Sequence, residues 1–314
     1  MRPIRIATRG SELALVQARY VAARFEKELG LATELVVITT TGDRIQDRSL
    51  AKIGGKGLFI KEIEQSLLED RADVAVHSAK DLPAVTAPGL ILSAFPDRAD
   101  PRDALVGRLK SDRLETLAQG ARVGTGSTRR AAQLLALRSD LEIVPIRGNV
   151  PTRLKKIDTD GLDAVVLASA GLDRLGLSEV ISQRIEPEQM LPAVCQGLLA
   201  LQTREDGPFS EDVSKLDSHP NSVAATAERA FLGHLGGDCT IPLAAYCDER
   251  GGGRIAVRAC LASTDGTRLI HSEAEGSPAH ASRLGRRVAD DILDAGGRAL
   301  LDDLRAETSG DTQS

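Results

Sequence analysis

A short stretch near residue 80 combines a predicted buried strand with several chemically active side chains. Residues 72–83 read ADVAVHSAKDLP, in which Val74 and Val76 alternate with small residues, as in a buried strand. The polar side chains that follow are His77, Ser78, Lys80 and Asp81. Because ligands bind beyond the carboxyl ends of strands in α/β sheets, these groups predict a site. The alternative is a polar loop that caps the strand, with Asp81 as a turn residue.

A second stretch, GTGSTRR at residues 124–130, indicates an anion site. It follows a predicted strand and opens a predicted helix, so that backbone N–H groups point at a ligand. Hydroxyls and guanidinium groups come from Thr125, Ser127, Arg129 and Arg130. The alternative is a serine-capped helix with solvated arginines. A phosphate-handling transferase is a further alternative, but it needs a nucleotide or metal motif that is absent from the sequence.

Other cations also follow predicted strands or lie in glycine-rich loops, although the chain has a net charge of -5. Together with the arginines above, they are Arg9, Lys52, Lys56, Lys80, Arg147 and Arg153. If two α/β domains face each other, these groups line a cleft for a ligand with many carboxylates or phosphates. Asp81 would then oppose a positive charge, as when a cation develops in a reaction. For Arg9 and Ser11, a surface charge and a helix cap are the alternative.

Composition restricts the class of protein. The chain has 314 residues, which suggests two or three domains. Aromatic residues make up 2% and Trp is absent, so a base-stacking surface for nucleic acid is not expected. We find no secretory signal or membrane-spanning run. The four cysteines form no CxxC pair, which argues against a zinc site and for a cytoplasmic protein with reduced thiols and no metal.

The order of predicted elements indicates an α/β protein with a smaller final domain. A β-α-β start favours a parallel sheet, and its helix, which Gly30 ends, is expected to bury Leu13, Val16, Tyr20, Ala23 and Leu29. Residues 96–103 are rich in proline and charge, which predicts a crossing between domains. Residues 198–203 are expected to return to the first sheet. Three strand-like runs after residue 240, separated by Gly/Asp turns, predict an antiparallel meander.

Eight motifs in order resemble the porphobilinogen deaminase (hydroxymethylbilane synthase) family. They are IATRGSELAL, GGKGLFIKEIE, DVAVHSAKDLP, GTGSTRRAAQL, IRGNVPTRLKKID, AVVLASAGLDRLG, PAVCQGLLAL and ERAFLGHLGGDCTIP. The resemblance runs from about Ile4 to Pro242. It implies two doubly wound domains like those of periplasmic binding proteins and a small C-terminal α+β domain. The expected bounds are 1–97 with 198–217, 103–192, and 220–314.

The resemblance also implies an activity. The family condenses four porphobilinogen molecules head to tail, releases ammonia each time, and hydrolyses off the linear tetrapyrrole hydroxymethylbilane. A dipyrromethane cofactor, made from the substrate, is held by a thioether to a cysteine that matches Cys239. The catalytic carboxylate matches Asp81, which is suited to stabilise the cation left when ammonia departs. A monomer is expected from the family.

The remaining site residues are also implied by the resemblance. Side chains that bind carboxylates or the cofactor match Arg9, Ser11, Lys52, Lys56, Lys80, Thr125, Ser127, Arg129, Arg130, Arg147, Arg153 and Gln196, with Phe59 on a mobile loop. His77 is expected to position other groups, and Ser78 to hydrogen-bond near the cofactor. The alternative from another class is a two-lobed anion-binding protein of the periplasmic type without catalysis.

Overall fold

The structure, a computed structural model, describes residues 2–41, 60–236 and 241–310, with side chains to residue 307. Its contacts divide the chain into unit 1, Met1–Ala99 with Gly197–Ser222, and unit 2, Asp100–Gln196 with Val223–Ser314. Among the described helices, none has the length and apolar character needed to cross a membrane.

Unit 1 is built on a five-stranded mixed sheet. Its strands are β1 (Ile4–Arg9), β2 (Thr33–Ile38), β3 (Val74–Ser78), β4 (Leu90–Ala94) and β10 (Leu199–Arg204). In the order β2-β1-β3-β10-β4, the first three strands are parallel and β10 runs antiparallel to both neighbours. The helices are α1 (Glu12–Leu29), α2 (Lys61–Leu68) and α6 (Ser210–Ser214). The predicted return of residues 198–203 to the first sheet is therefore confirmed.

The predicted buried face of α1 is partly wrong. Gly30 ends the helix in the left-handed conformation, as expected, but Tyr20 and Ala23 are exposed. The buried positions are Gln17, Ala18, Val21 and Phe25. Gln17 can be buried because its amide hydrogen-bonds the hydroxyl of Ser78, which offsets the cost of removing a polar group from water.

Unit 2 contains a second five-stranded sheet with the same pattern of strand directions. Its strands are β5 (Asp103–Gly107), β6 (Arg122–Thr125), β7 (Glu142–Pro145), β8 (Ala164–Ala168) and β9 (Gln183–Ile185). They lie in the order β7-β6-β8-β5-β9, with β5 antiparallel to both neighbours. The accompanying helices are α3 (Thr128–Leu137), α4 (Val150–Thr159) and α5 (Ser169–Arg174). Buried apolar side chains form a core on each face of this sheet.

A three-stranded antiparallel sheet completes unit 2. It consists of β11 (Leu243–Arg250), β12 (Arg254–Ala262) and β13 (Leu269–Gly276), in that order. The helices around it are α7 (His219–Leu235), which begins within unit 1, α8 (Ala281–Ile292) and α9 (Arg298–Gly310). Uninterrupted antiparallel pairing of β12 with β11 and β13, across Gly/Asp turns, builds this meander. The predicted fold class, two α/β sheets followed by a small antiparallel one, is confirmed.

Two features hold the third sheet to the second within unit 2. The buried carboxylate of Glu228 in α7 accepts hydrogen bonds from the backbone N–H groups of Cys195 and Cys247. The turn between β12 and β13 reaches α3, where a Cβ on Gly266 would lie 2.5 Å from the carbonyl oxygen of Ala132. Gly266 is also left-handed, with φ of +72°, so glycine alone suits this close approach.

Candidate active site

The carboxyl ends of β1 and β3 form one pocket in unit 1. Because these strands are neighbours and parallel, their carboxyl ends meet at the same edge of the sheet. The polar side chains that line the pocket are Arg9, Ser11, Gln17, His77, Ser78 and Asp81. Five of these six were predicted from the sequence, and the structure brings them together. Gln17 was missed, because nothing local marks the hydroxyl that it binds 61 residues away.

Asp81 lies in a single 3₁₀ turn at the mouth of this pocket. The turn, Ala79–Asp81, follows β3 directly and is held by a hydrogen bond from the Ala79 N–H to the Leu198 carbonyl oxygen at 3.0 Å. The carboxylate itself is exposed, while Leu82 behind it is buried. The fold therefore presents Asp81 to a ligand on a buried, hydrogen-bonded support.

Ser11 caps helix α1 as well as lining the pocket. Its hydroxyl accepts a hydrogen bond from the Ala14 N–H at 3.4 Å, and its backbone is extended. This confirms the capping role that the sequence offered as an alternative. Arg9, the last residue of β1, lies beside the amino end of this helix, where the dipole favours anions.

His77 is buried in a chain of hydrogen-bonded polar side chains. Its Nε2 lies 3.0 Å from Oε1 of Gln202, whose Nε2 donates to Oε1 of Glu64 at 2.8 Å. Burial lowers the pKa of His77 to about 4, although the hydrogen bond to Gln202 acts in the opposite direction. A neutral imidazole at pH 7 is suited to position β3 and not to donate protons.

In unit 2, the GTGSTRR stretch runs from β6 into α3 as predicted. Gly126 lies close against the backbone of Ile146, so that a Cβ atom added to Gly126 would be 2.5 Å from the Ile146 carbonyl oxygen. The Ser127 hydroxyl caps α3 by accepting from the Arg130 N–H, and the Thr125 hydroxyl accepts from the Ser127 N–H at 3.3 Å. The hydroxyls of this stretch thus order the loop and the first turn of α3.

Arg129 and Arg130 are buried, so the alternative of solvated arginines is wrong. Each is 5% exposed, and both pair with the carboxylate of Asp103, which is fully buried. Arg129 also donates to the carbonyl oxygen of Leu191 at 2.6 Å. The sequence predicts that Asp103 lies in the crossing of residues 96–103, but it is the first residue of β5. A carboxylate directly before the apolar run ALV is the signal that could have identified it.

The Nε atom of Arg129 is buried and has no hydrogen-bond partner among the described residues. Since a buried, unpaired donor is costly, this atom is a candidate contact for a ligand oxygen. Arg153 lies near enough for its charge to lower the pKa of Arg130, a smaller effect than burial. Gln196 is also buried and donates to the carbonyl oxygen of Pro101 at 2.7 Å.

Several predicted residues lie apart from these clusters or outside the described chain. Arg147 is exposed in the turn between β7 and α4, and Pro151 lies in the first turn of α4. Lys80 is half-buried and does not line the pocket of unit 1. Lys52, Lys56, Phe59 and Cys239 lie outside the described residues. Within residues 2–41, 60–236 and 241–310, no cluster of His, Cys, Asp or Glu is placed to hold a metal ion.

Two family models match nearly the whole chain. "Porphobilinogen deaminase, dipyromethane cofactor binding domain" matches residues 4–211, and "Porphobilinogen deaminase, C-terminal domain" matches residues 222–294. Among solved structures, a periplasmic substrate-binding protein of an ABC transporter from Coxiella burnetii is similar over 72% of this chain and 96% of its own. The sequence identity there is 15% and the TM-score 0.41.

Curated relatives with the name porphobilinogen deaminase are similar from end to end. The protein of Syntrophus aciditrophicus (strain SB) is 48% identical, covering 96% of this chain and 98% of its own. The protein of Syntrophomonas wolfei is 46% identical, covering 97% of this chain and 100% of its own. That of Ralstonia nicotianae is 48% identical, covering 96% and 92%. This chain belongs to the porphobilinogen deaminase family.

Proposed function

We propose that this chain is a porphobilinogen deaminase, a transferase of tetrapyrrole biosynthesis. It joins four molecules of porphobilinogen, releases ammonia at each condensation and frees hydroxymethylbilane by hydrolysis. Beyond family membership, one observation carries the proposal. An exposed carboxylate, Asp81, stands at the mouth of a pocket that Arg9 also lines.

That pairing of opposite charges suits porphobilinogen. Each pyrrole carries an acetate and a propionate, which an arginine can bind through two hydrogen bonds. Departure of ammonia leaves positive charge on the pyrrole, and a nearby fixed carboxylate stabilises such charge. We therefore assign Asp81 the catalytic role and Arg9 and Ser11 a role in binding. Gln17 holds Ser78 at 2.9 Å and so fixes one wall of the pocket.

The residues of unit 2 fit a dipyrromethane cofactor. The unpaired, buried Nε of Arg129 is a donor suited to a carboxylate oxygen. We propose that Thr125, Ser127, Arg129, Arg130, Arg147 and Arg153 hold carboxylates of the cofactor and the growing chain, together with Lys52, Lys56 and Lys80. Gln196 contributes by holding Arg130 and Asp103, and Phe59 by apolar contact. When bound through Cys239, the cofactor supplies the two pyrrole rings on which the chain is extended.

We also propose three domains, 1–97 with 198–217, 103–192, and 220–314. The pairing of β10 with β3 and β4 supports the discontinuous first domain. The separate cores of the second sheet and the helix-covered third sheet support the other two. We infer a cytoplasmic monomer, which light scattering on the purified protein would test.

Intact-mass spectrometry of the denatured protein tests the proposed function. We expect the chain mass plus two pyrrole units in purified protein, and further increments of one pyrrole unit after incubation with porphobilinogen. Ehrlich's reagent should give the colour of the pyrrole adduct. A mass equal to the bare chain, both before and after incubation, would contradict the proposal. A non-catalytic binding protein predicts that result.

A further inference from the structure

We propose that Asp103 is a positioning residue that determines which edges of Arg129 and Arg130 face the bound carboxylates. The inference rests on the proposed function, because it concerns the same anion site. Asp103 begins β5, and its side chain is completely buried. It belongs to none of the motifs from which the site was predicted.

One carboxylate gathers three side chains of the anion site. Oδ2 accepts from Nη1 of Arg129 at 2.7 Å, and Oδ1 accepts from Nε of Arg130 at 2.8 Å. Oδ1 also lies 3.2 Å from Nη2 of Arg129 and 3.0 Å from Nε2 of Gln196. Asp103 therefore fixes the plane of both guanidinium groups and the amide of Gln196.

These bonds select the donors that remain for a ligand. A guanidinium has five N–H donors in a rigid fork. In Arg129, Asp103 and the Leu191 carbonyl oxygen take both N–H groups of Nη1 and one of Nη2, which leaves Nε and the other N–H of Nη2. Arg130 shows the opposite arrangement, since its Nε is taken by Asp103 and each Nη keeps one N–H beyond its bond to Val166 or Gln196. Neighbouring arginines thus present different edges.

Asp103 also sets the charge of the cluster. Two guanidinium groups and one carboxylate leave a single net positive charge at the amino end of α3, where the helix dipole already favours anions. Burial alone would raise the pKa of Asp103, but the charges of Arg129 and Arg130 hold it well below its usual range. The carboxylate is therefore ionised at neutral pH, and its negative charge lies between the two arginines.

The hydrogen bonds around Asp103 connect the beginning and the end of the segment Asp100–Gln196, which carries the second sheet. Gln196, its last residue, donates to Asp103 and to the carbonyl oxygen of Pro101. Cys195, next to it, is a buried non-glycine residue with φ of 59°, a conformation that persists only where surrounding contacts enforce it. Displacing the Asp103 carboxylate is thus expected to disturb Gln196 as well as the arginines.

A merely stabilising ion cluster is the competing explanation, and the chain contains a matched control. Asp73 is also buried and also pairs with two arginines, Arg2 and Arg5. It precedes the amino end of β3, whereas Asp81 and the pocket of unit 1 lie beyond the carboxyl end. Both aspartates are buried carboxylates that pair with two guanidinium groups, but Arg2 is exposed and Arg5 half-buried, and only Asp103 holds predicted binding residues.

The decisive experiment compares Asp103→Glu with Asp73→Glu in the full-length enzyme. Glutamate keeps the charge, so both variants should fold, but it moves the carboxylate by one methylene. We measure the melting temperature, the fraction of chains with the two-pyrrole adduct, and KM and kcat for porphobilinogen. We expect Asp103→Glu to raise KM or lower adduct occupancy at least about tenfold, since a misplacement of about 1 Å can cost as much as about 100-fold in rate. Asp73→Glu should leave both unchanged.

The two proposals fail in different ways. If Asp103→Glu and Asp73→Glu show the same KM and adduct occupancy, then Asp103 is only structural and the inference is overturned. Asp103→Asn with Asp73→Asn repeats the comparison without the charge, and equal losses in both would count against the inference too. If the unaltered enzyme and Asp73→Glu carry no adduct and consume no porphobilinogen, the proposed function itself fails.

Discussion

His77 and Gln202 are hydrogen-bonded at 3.0 Å beneath the pocket that holds Asp81. In this arrangement the glutamine oxygen accepts, so the proton lies on Nε2 of a neutral imidazole. Gln202 is in turn a donor to Glu64 in α2. The chain of bonds thus links the end of β3 through β10 to a helix and leaves no role for a charged histidine.

This relationship predicts how stability depends on pH. Burial lowers the pKa of His77 from 6.5 to about 4. Because the unfolded chain takes up a proton in that window and the folded chain does not, the contribution of His77 is complete above pH 6.5 and falls towards pH 4. The free energy of unfolding should drop by about 3 kcal/mol across the window.

Urea unfolding at several pH values checks this prediction with two variants. His77→Asn should flatten the slope between pH 6.5 and 4, because the titrating group is gone. His234→Asn, which removes a less buried histidine paired with Asp290, should keep it. If His77→Asn retains the slope of the unaltered protein, another group is responsible.

A second prediction concerns Asp81. Since its carboxylate is exposed at the pocket mouth, Asp81→Asn should change the free energy of unfolding by less than about 0.5 kcal/mol. Turnover of porphobilinogen should fall by about 100-fold or more, because a fixed charge that stabilises the reacting group is lost. The adduct seen by intact mass should largely remain.

Asp206→Asn is the matched control, because Asp206 is an exposed carboxylate of unit 1 that does not line the pocket. Its turnover should equal that of the unaltered enzyme. Comparable turnover in Asp81→Asn and Asp206→Asn would remove Asp81 from the mechanism.

A third prediction distinguishes the four cysteines. Cys195, Cys247 and Cys260 are all buried, and burial raises the pKa of the Cys260 thiol to about 12, which suppresses the reactive thiolate. Cys239→Ser should therefore abolish the pyrrole adduct, whereas Cys260→Ser should retain it. Intact-mass spectrometry of the two variants shows whether the adduct is present in each. An adduct that survives in Cys239→Ser and disappears in Cys195→Ser would move the attachment to Cys195.

Local sequence was enough to predict the strands and the positions after them. The runs around Val74 and Val123 are apolar and short, and the polar residues that follow lie at the strand ends as expected. Partners distant in sequence were not predictable. Asp103 pairs with Arg129, 26 residues away. Gln17 in α1 can be buried because its amide donates a hydrogen bond to the hydroxyl of Ser78 in β3. Hydrophobic periodicity carries no information about such hydrogen bonds.

The last prediction concerns the turn that joins the third sheet to α3. A Cβ on Gly266 would lie 2.5 Å from the Ala132 carbonyl oxygen and 2.7 Å from the Ala136 nitrogen. Gly252 has nearly the same positive φ, +74°, but no atom lies within 4 Å of its Cβ position. Gly252→Ala thus isolates the cost of the left-handed backbone, about 1 kcal/mol.

Gly266→Ala adds a backbone clash, and we expect a loss of about 3 kcal/mol or more in the free energy of unfolding. Urea denaturation of both variants measures the difference. Arg129 and Arg130 lie in the first turn of α3. If the turn displaces α3, adduct occupancy should therefore also fall in Gly266→Ala but not in Gly252→Ala. Equal stabilities for the two variants would mean that the turn can move away from α3 at no cost, and that this contact does not fix the third sheet to α3.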